Sequence, residues 1–471
     1  MIDKYPDFKE ASKRLNQDVD RTDYKLNSEY MGLFKGKKYY IITHGCLANE
    51  RDSEIICGIL EQTGFIKSND IAYSDLIIVN TCAIRSGAED KVLGEIGALK
   101  RYKTNNPNLT IAMCGCMAQE EDVIKELKTK YRQIELIFGT NNIHNLLDYL
   151  KEKYDTDNRI IQVESGRGSV IEKLPDYRNS KYKALVNIMY GCNKFCTYCI
   201  VPYTRGQERS RKKEDILEEV IRLKNSGYKE INLLGQNVNA YGKDLKLGYD
   251  FSDLLEEVAK TGIYRIRFMT SHPWDFNDSM IQVIKKYDNI MPYIHLPLQS
   301  GSDNILKKMN RSYDSKTYKQ LFDKLKNNLP NYSFSTDIIV AFPGESEDDF
   351  NKTIEMVDYC QYDNAYTFIF SKRKGTVAYN MDDNLDDKTK SERLAKLNQR
   401  VAYWANYNNM KYKDKIVEVL VDGPSKKDKN ILSGYSKENK LVNFIGNAKE
   451  GDIVNVLIDS PMSFSLNGKQ M

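Results

Sequence analysis

The chain has 471 residues, 41% hydrophobic and 29% charged, with a net charge of +4. That length suffices for two or three domains with their own cores, and the charge is too small to announce a nucleic-acid partner. No apolar run reaches the length of a membrane span, and MIDKYPDFKEASKRLNQDVDR lacks the apolar stretch of a secretory signal, so a cytoplasmic protein is expected.

Residues 1–36 form a polar extension, helical in part or disordered. Residues 37–150 alternate between strand and helix patterns. KYYIITHGC, DLIIVNTC and LTIAMCGC read as strands ending near Cys46, Cys82 and Cys116, followed by helices over 49–63, 86–103 and from about Gln119. Such alternation predicts a doubly wound parallel α/β domain. Its ligand site lies beyond the carboxyl ends of the strands, where the three cysteines converge. Residues 151–182 read as a linker with one short strand. A second series over 183–411 has six candidate strands: 184–190, 230–235, 264–270, 293–298, 332–342 and 365–370. Its helix over 214–226 presents Ile216, Leu217, Val220, Ile221 and Leu223 on one face and ends at Gly227. Six βα units are fewer than the eight of a closed barrel, so a partial TIM barrel is expected, open on one side to a large substrate. A long charged helix spans 386–411. Residues 412–471 break into short β-like runs and predict a small antiparallel β-barrel of OB-like size.

Nine cysteines in such a chain argue for metal or redox chemistry rather than a disulfide framework. GCNKFCTYC places Cys192, Cys196 and Cys199 in a C-x3-C-x2-C loop after the first barrel strand. A closed tetrahedral site needs four ligands, and this loop offers three. Either a fourth ligand completes a structural zinc site, or an iron–sulfur cluster keeps one iron free. Phe195 and Tyr198 between the ligands would keep water away. Cys46, Cys82 and Cys116 occupy equivalent strand-to-helix turns, which argues for a second three-thiolate site. Cys114 competes with Cys116 by position, while Cys57 and Cys360 read as core residues.

The C-x3-C-x2-C loop in a six-fold βα barrel resembles the radical S-adenosylmethionine superfamily. With THGCLANERDS, VNTCAIR and MCGCMAQ, the chain is similar to its methylthiotransferase family from about Lys37 to the end. Within that family TCAIRSGAEDKV, GCNKFCTYCIVPYTRGQERSR, INLLGQNVNAYG, RIRFMTSHP, HLPLQSGSDNILKKMNR and DIIVAFPGE resemble the branch acting on isopentenyladenosine in tRNA. The GCxAQ pattern falls on Cys116, leaving Cys114 a strand residue.

The resemblance implies two 4Fe-4S clusters, one on Cys192, Cys196 and Cys199 and an auxiliary one on Cys46, Cys82 and Cys116. It implies S-adenosylmethionine bound at the free iron of the first cluster and cleaved to a deoxyadenosyl radical. It implies as product a methylthio group on carbon 2 of the adenine at position 37, next to the anticodon. Gly235 and Gln236, at the end of the second strand, are candidates to meet the methionyl amino group of S-adenosylmethionine; Ser271, Gln299 and Ser300, at the ends of strands three and four, read equally as facing S-adenosylmethionine or the base and as plain polar loop residues. A TRAM-type C-terminal domain would contact the RNA, with Tyr435, where the family more often has Arg, and Phe444 as stackers. Arg205, Arg209 and Arg211, with Lys212 and Lys213, read equally as a solvated face or as an RNA contact. The implied partners are tRNA carrying isopentenyladenosine, an external electron donor and sulfur or cluster-assembly proteins, with the enzyme a monomer and no membrane involved. Two family alternatives act on threonylcarbamoyl-adenosine in tRNA or on a ribosomal protein aspartate. The alternative from another class is a zinc-stabilised RNA-binding protein without catalysis.

Overall fold

A computed structural model describes residues 19–83, 86–164 and 168–471, without the side chains of 86–90. Most of the expected polar extension, residues 1–18, and part of the TCAIRSGAEDKV stretch lie outside the described residues.

β1 (Arg21–Asp23) belongs to the extension and is ordered by a distant partner. The expected parallel sheet follows as β2 (Lys38–Thr43), β3 (Ile66–Lys67), β4 (Leu76–Thr81), β5 (Thr110–Gly115), β6 (Leu136–Phe138) and β7 (Ile160–Gln162). Their order is β3-β2-β4-β5-β6-β7, all parallel. β4 and β5 are buried along their whole length, as continuous apolar runs in a sheet covered on both faces require. The 151–182 stretch is not a simple linker. Helix Leu146–Thr156 runs into it, β7 supplies the sixth strand, and β8 (Val170–Glu172) pairs in parallel with β1. Helix Leu47–Glu61 follows β2, and the helical stretch expected over 86–103 divides into Ser86–Ala98 and Lys100–Asn105.

The second series begins with β9 (Lys183–Asn187) and breaks at Ile188. β10 (Met189–Tyr190) then turns away to pair antiparallel with β11 (Arg209–Ser210). β12 (Glu230–Leu234), β13 (Arg265–Phe268), β14 (Tyr293–His295), β15 (Ser333–Val340) and β16 (Asn364–Ile369) complete it. Two parallel sheets, β9-β12-β13 and β14-β15-β16, are joined by the Ile266–Ile290 bridge. Among the described residues β16 does not return to β9, so the barrel stays open. Helix Lys213–Asn225 ends with Gly227 at φ 88°, the left-handed residue that its sequence predicts. Helix Asp387–Met410 packs outside β16.

The tail forms a closed five-stranded barrel from β17 (Ile416–Pro424), β18 (Leu432–Ser436), β19 (Leu441–Ile445), β20 (Ile453–Pro461) and β21 (Leu466–Gln470). It is not wholly antiparallel, because β19 pairs with β21 in parallel to close the ring. This barrel docks on the amino ends of the larger barrel's strands. Arg265, fully buried, donates to the Tyr435 carbonyl (3.1 Å) and the Glu418 carboxylate (2.8 Å). Arg267 donates to the Ser436 and Lys437 carbonyls, and Lys183 pairs with Asp422.

A second ionic joint holds the N-terminal domain to the barrel. Arg51 and Arg178 share Glu54, Asp176 and Glu219, while Arg211 pairs with Glu172 and Glu219. Among the described residues, no helix is long and apolar enough to cross a membrane.

Candidate functional site: two cysteine sets facing one loop

β2, β4 and β5 are neighbours, and Cys46, Cys82 and Cys116 follow their carboxyl ends. The turns are tightly built. A side chain on Gly45 would place its Cβ 2.6 Å from Cys82 Cβ. Gly115, at φ 93°, turns the chain into Cys116, and a Cβ there would strike the Thr81 carbonyl. Asn49, fully buried, donates to the Thr81 carbonyl at 2.8 Å, and Asn80 returns a bond to the Asn49 carbonyl at 2.8 Å. The Cys46 thiol lies 3.6 Å from Asn49 Oδ1.

Burial pushes the Cys116 thiol up, the Arg205 guanidinium pulls it down, and Cys46 and Asp52 push it up again. Cys46 and Cys116 therefore share one electrostatic environment. Cys114 is different: it lies in the opposite hydrophobic layer with Leu136 and Phe138, its thiol pushed well up by burial. Cys57 shares that layer, and Cys360 belongs to the larger barrel's core.

The C-x3-C-x2-C loop follows β10 and is anchored on all sides. Cys192 N–H donates to the Gly206 carbonyl (3.1 Å), and Thr197 N–H to the Met309 carbonyl (3.0 Å). Gly191, at φ 69°, has no room for a side chain against the Gln207 carbonyl. Phe195 packs into the N-terminal domain's core beside Cys116, and Tyr198 against Phe342 and Phe370. Burial and then Glu208 push the Cys192 thiol well up, with Cys199 and Cys196 adding to it. Burial and Cys196 push Cys199 up to about 12. Arg311, which sequence reasoning missed, donates to Cys196 Sγ at 3.3 Å.

Among the described residues no three His, Cys, Asp or Glu side chains already stand close enough to hold a metal ion. Cys46 and Cys116 act on one another's charge, as do Cys192, Cys196 and Cys199, and Arg205 and Arg311 face the two sets. Soft thiolate donors beside a guanidinium fit an iron–sulfur group rather than a hard ion.

The other expected residues divide. Gly235 and Gln236 lie half-buried at the carboxyl end of β12, and the Gly235 carbonyl accepts from Thr270 Oγ1 at 2.7 Å. Ser271 Oγ and Gln299 Oε1 are buried without a partner, as is Asn237 Oδ1. These are free hydrogen-bonding atoms at strand ends β12, β13 and β14, which suits a polar ligand such as S-adenosylmethionine. Ser300 is instead structural: its hydroxyl meets Thr353 at 3.3 Å and accepts from Ser302 N–H at 3.2 Å. Asp275 also escaped sequence reasoning. It ties the cysteine loop to the mouth through Lys194 (2.6 Å), Lys243 (2.6 Å) and Asn237 (2.7 Å). Burial raises its carboxyl, but those bonds hold it down at about 2.

The expected RNA contacts need correction. Arg205, Arg209 and Arg211 are buried, not a solvated basic face. Arg205 pairs with Asp52 (2.8 Å), Arg211 with Glu172 and Glu219, and Arg209 donates to the Arg205 and Gln207 carbonyls. Phe444 fills the small barrel's core at 1% exposure, so it cannot stack on a base. Tyr435 is half-buried under Lys183, 5.3 Å from its ring, at the amino ends of the strands and away from the cysteines.

Comparison with known proteins is consistent with this architecture. Residues 186–357 match the radical SAM superfamily, and residues 38–139 match an uncharacterized protein family, UPF0004. A solved radical S-adenosylmethionine methyltransferase, TsrM from Kitasatospora setae, is similar in fold with a TM-score of 0.52. It is 12% identical, over 73% of this chain and 77% of that one. Closer relatives span the whole length. The tRNA-2-methylthio-N(6)-dimethylallyladenosine synthase of Malacoplasma penetrans is 49% identical over 100% of this chain and 97% of its own. That of Staphylococcus haemolyticus is 48% identical over 98% of this chain and 91% of its own. Identity of that extent, across both cysteine-bearing domains and the terminal barrel, means that the chain belongs to the family of tRNA-2-methylthio-N(6)-dimethylallyladenosine synthases.

Proposed function

We propose that this protein replaces the hydrogen on carbon 2 of N6-isopentenyladenosine, at position 37 of tRNA, with a methylthio group. The full-length identity to synthases of that name carries the reading. That hydrogen has no useful acidity, so a general base cannot remove it. A 4Fe-4S cluster with S-adenosylmethionine supplies the one-electron chemistry that can.

Cys192, Cys196 and Cys199 would hold that cluster, and Cys46, Cys82 and Cys116 a second one carrying the sulfur. Asn237, Ser271 and Gln299 offer hydrogen bonds to S-adenosylmethionine, and Gly235 and Gln236 border it. Phe195 and Tyr198 exclude water, and Arg311 steadies Cys196. One chain carries both cysteine sets, so a cytoplasmic monomer suffices, served by an external electron donor and sulfur or cluster-assembly proteins.

Nucleoside analysis of tRNA from a deletion strain tests the reading. The 2-methylthio-N6-isopentenyladenosine should vanish and N6-isopentenyladenosine accumulate. Unchanged tRNA, with a ribosomal protein losing a methylthio group, would reject it.

A further inference from the structure

Arg205 comes from the barrel but ends in the other domain's cysteine pocket. Its guanidinium donates to Asp52 Oδ2 at 2.8 Å and to Asn49 Oδ1 at 2.9 Å, the same oxygen that lies 3.6 Å from the Cys46 thiol. Only 7% of the residue is exposed. Burying a guanidinium is costly unless anions surround it. Asp52 is the carboxylate that pairs with it, and Cys116 and Cys46 are the other groups acting on it electrostatically. Joining the domains does not require this charge, because Arg51, Arg178 and Arg211 already form the ionic joint. The residue next to Arg205, Gly206, accepts the Cys192 N–H at 3.1 Å. One short loop thus touches both cysteine sets.

We propose that Arg205 is the positioning residue of the second cysteine set: a positive charge lent by the barrel that raises the reduction potential of the cluster on Cys46, Cys82 and Cys116. The inference rests on those three cysteines being cluster ligands. A nearby cation favours the more negative, reduced form of such a cluster. Because the cation belongs to the other domain, the auxiliary site is complete only when the barrel is docked.

The test uses the full chain with Cys192→Ala, Cys196→Ala and Cys199→Ala, which isolates the second cluster. Iron content and an EPR-monitored redox titration are measured for this parent and for the parent carrying R205Q or R205K. The parent should hold about four irons. R205Q should have a more negative midpoint, and R205K, which keeps the charge, should stay near the parent. Iron lost from R205Q but kept by R205K would also support the charge. An unmoved R205Q midpoint with iron retained would overturn the inference and leave the cysteine assignment intact, and iron lost from both variants would reduce Arg205 to a packing role. A parent without iron would bring down the cysteine assignment, and the inference with it.

Discussion

Glu219→Gln probes the joint that holds the N-terminal domain over the barrel. The Glu219 carboxylate accepts from Arg178 at 2.6 Å, Arg211 at 2.7 Å and Arg51 at 3.4 Å. Burial alone would raise the carboxyl, but Arg211, Arg51 and Arg178 bring it from an ordinary 4.5 down to about 2. That difference is worth about 3 kcal/mol at neutral pH. It agrees with the ~3–5 kcal/mol expected when one member of a buried ionic network is removed. Gln keeps the size and loses the charge. Because the folded carboxyl titrates lower than the unfolded one, its contribution is complete above about pH 4.5 and disappears as pH falls through about 2. Urea unfolding of the cluster-free chain, followed by circular dichroism, should show the variant about 3 kcal/mol less stable at pH 7. The gap should narrow as the solution is acidified. A variant within about 1 kcal/mol of wild type, or a gap independent of pH, would refute the joint's role.

Three further outcomes follow from named contacts. Cys82→Ala should still cleave S-adenosylmethionine but form no methylthio product; full product formation would remove Cys82 from the ligand set. Gly191→Ala drives a methyl group into the Gln207 carbonyl, so iron per chain should fall from about eight to about four, and unchanged iron would contradict the clamp on the Cys192 loop. Arg265→Met strips the small barrel of its buried cation and should cost about 3–5 kcal/mol. Iron content should not change, and proteases should cut between helix Asp387–Met410 and β17; an undiminished melting temperature would count against this docking.

The sequence carried the scaffold clearly where local pattern decides structure. Apolar runs marked β2, β4 and β5, and the cysteines after them stand at adjacent strand ends. β7, β8 and β21 carry little local signal because their stability comes from partners. β8 needs Arg21–Asp23, and β21, with the unpromising sequence LNGKQ, is held between β19 and β20. The basic run misled for the same reason. Charge is visible in sequence, whereas the carboxylates that bury Arg205 and Arg211 come from residues 52, 172 and 219. Phe444 illustrates alternation: Val442 and Phe444 face the small barrel's interior, and Asn443 and Ile445 face outward. Arg311 closes the quoted stretch HLPLQSGSDNILKKMNR, but neither it nor Asp275 shows its role locally, since that role lies in reaching Cys196 and Lys194.

The central claim is tested most directly with purified, iron- and sulfide-reconstituted chain, a reductant, S-adenosylmethionine and tRNA bearing N6-isopentenyladenosine. Mass spectrometry of the digested tRNA should find 2-methylthio-N6-isopentenyladenosine, with none formed by the Cys192→Ala variant. Unmodified tRNA from a chain holding about eight irons and cleaving S-adenosylmethionine would contradict the account.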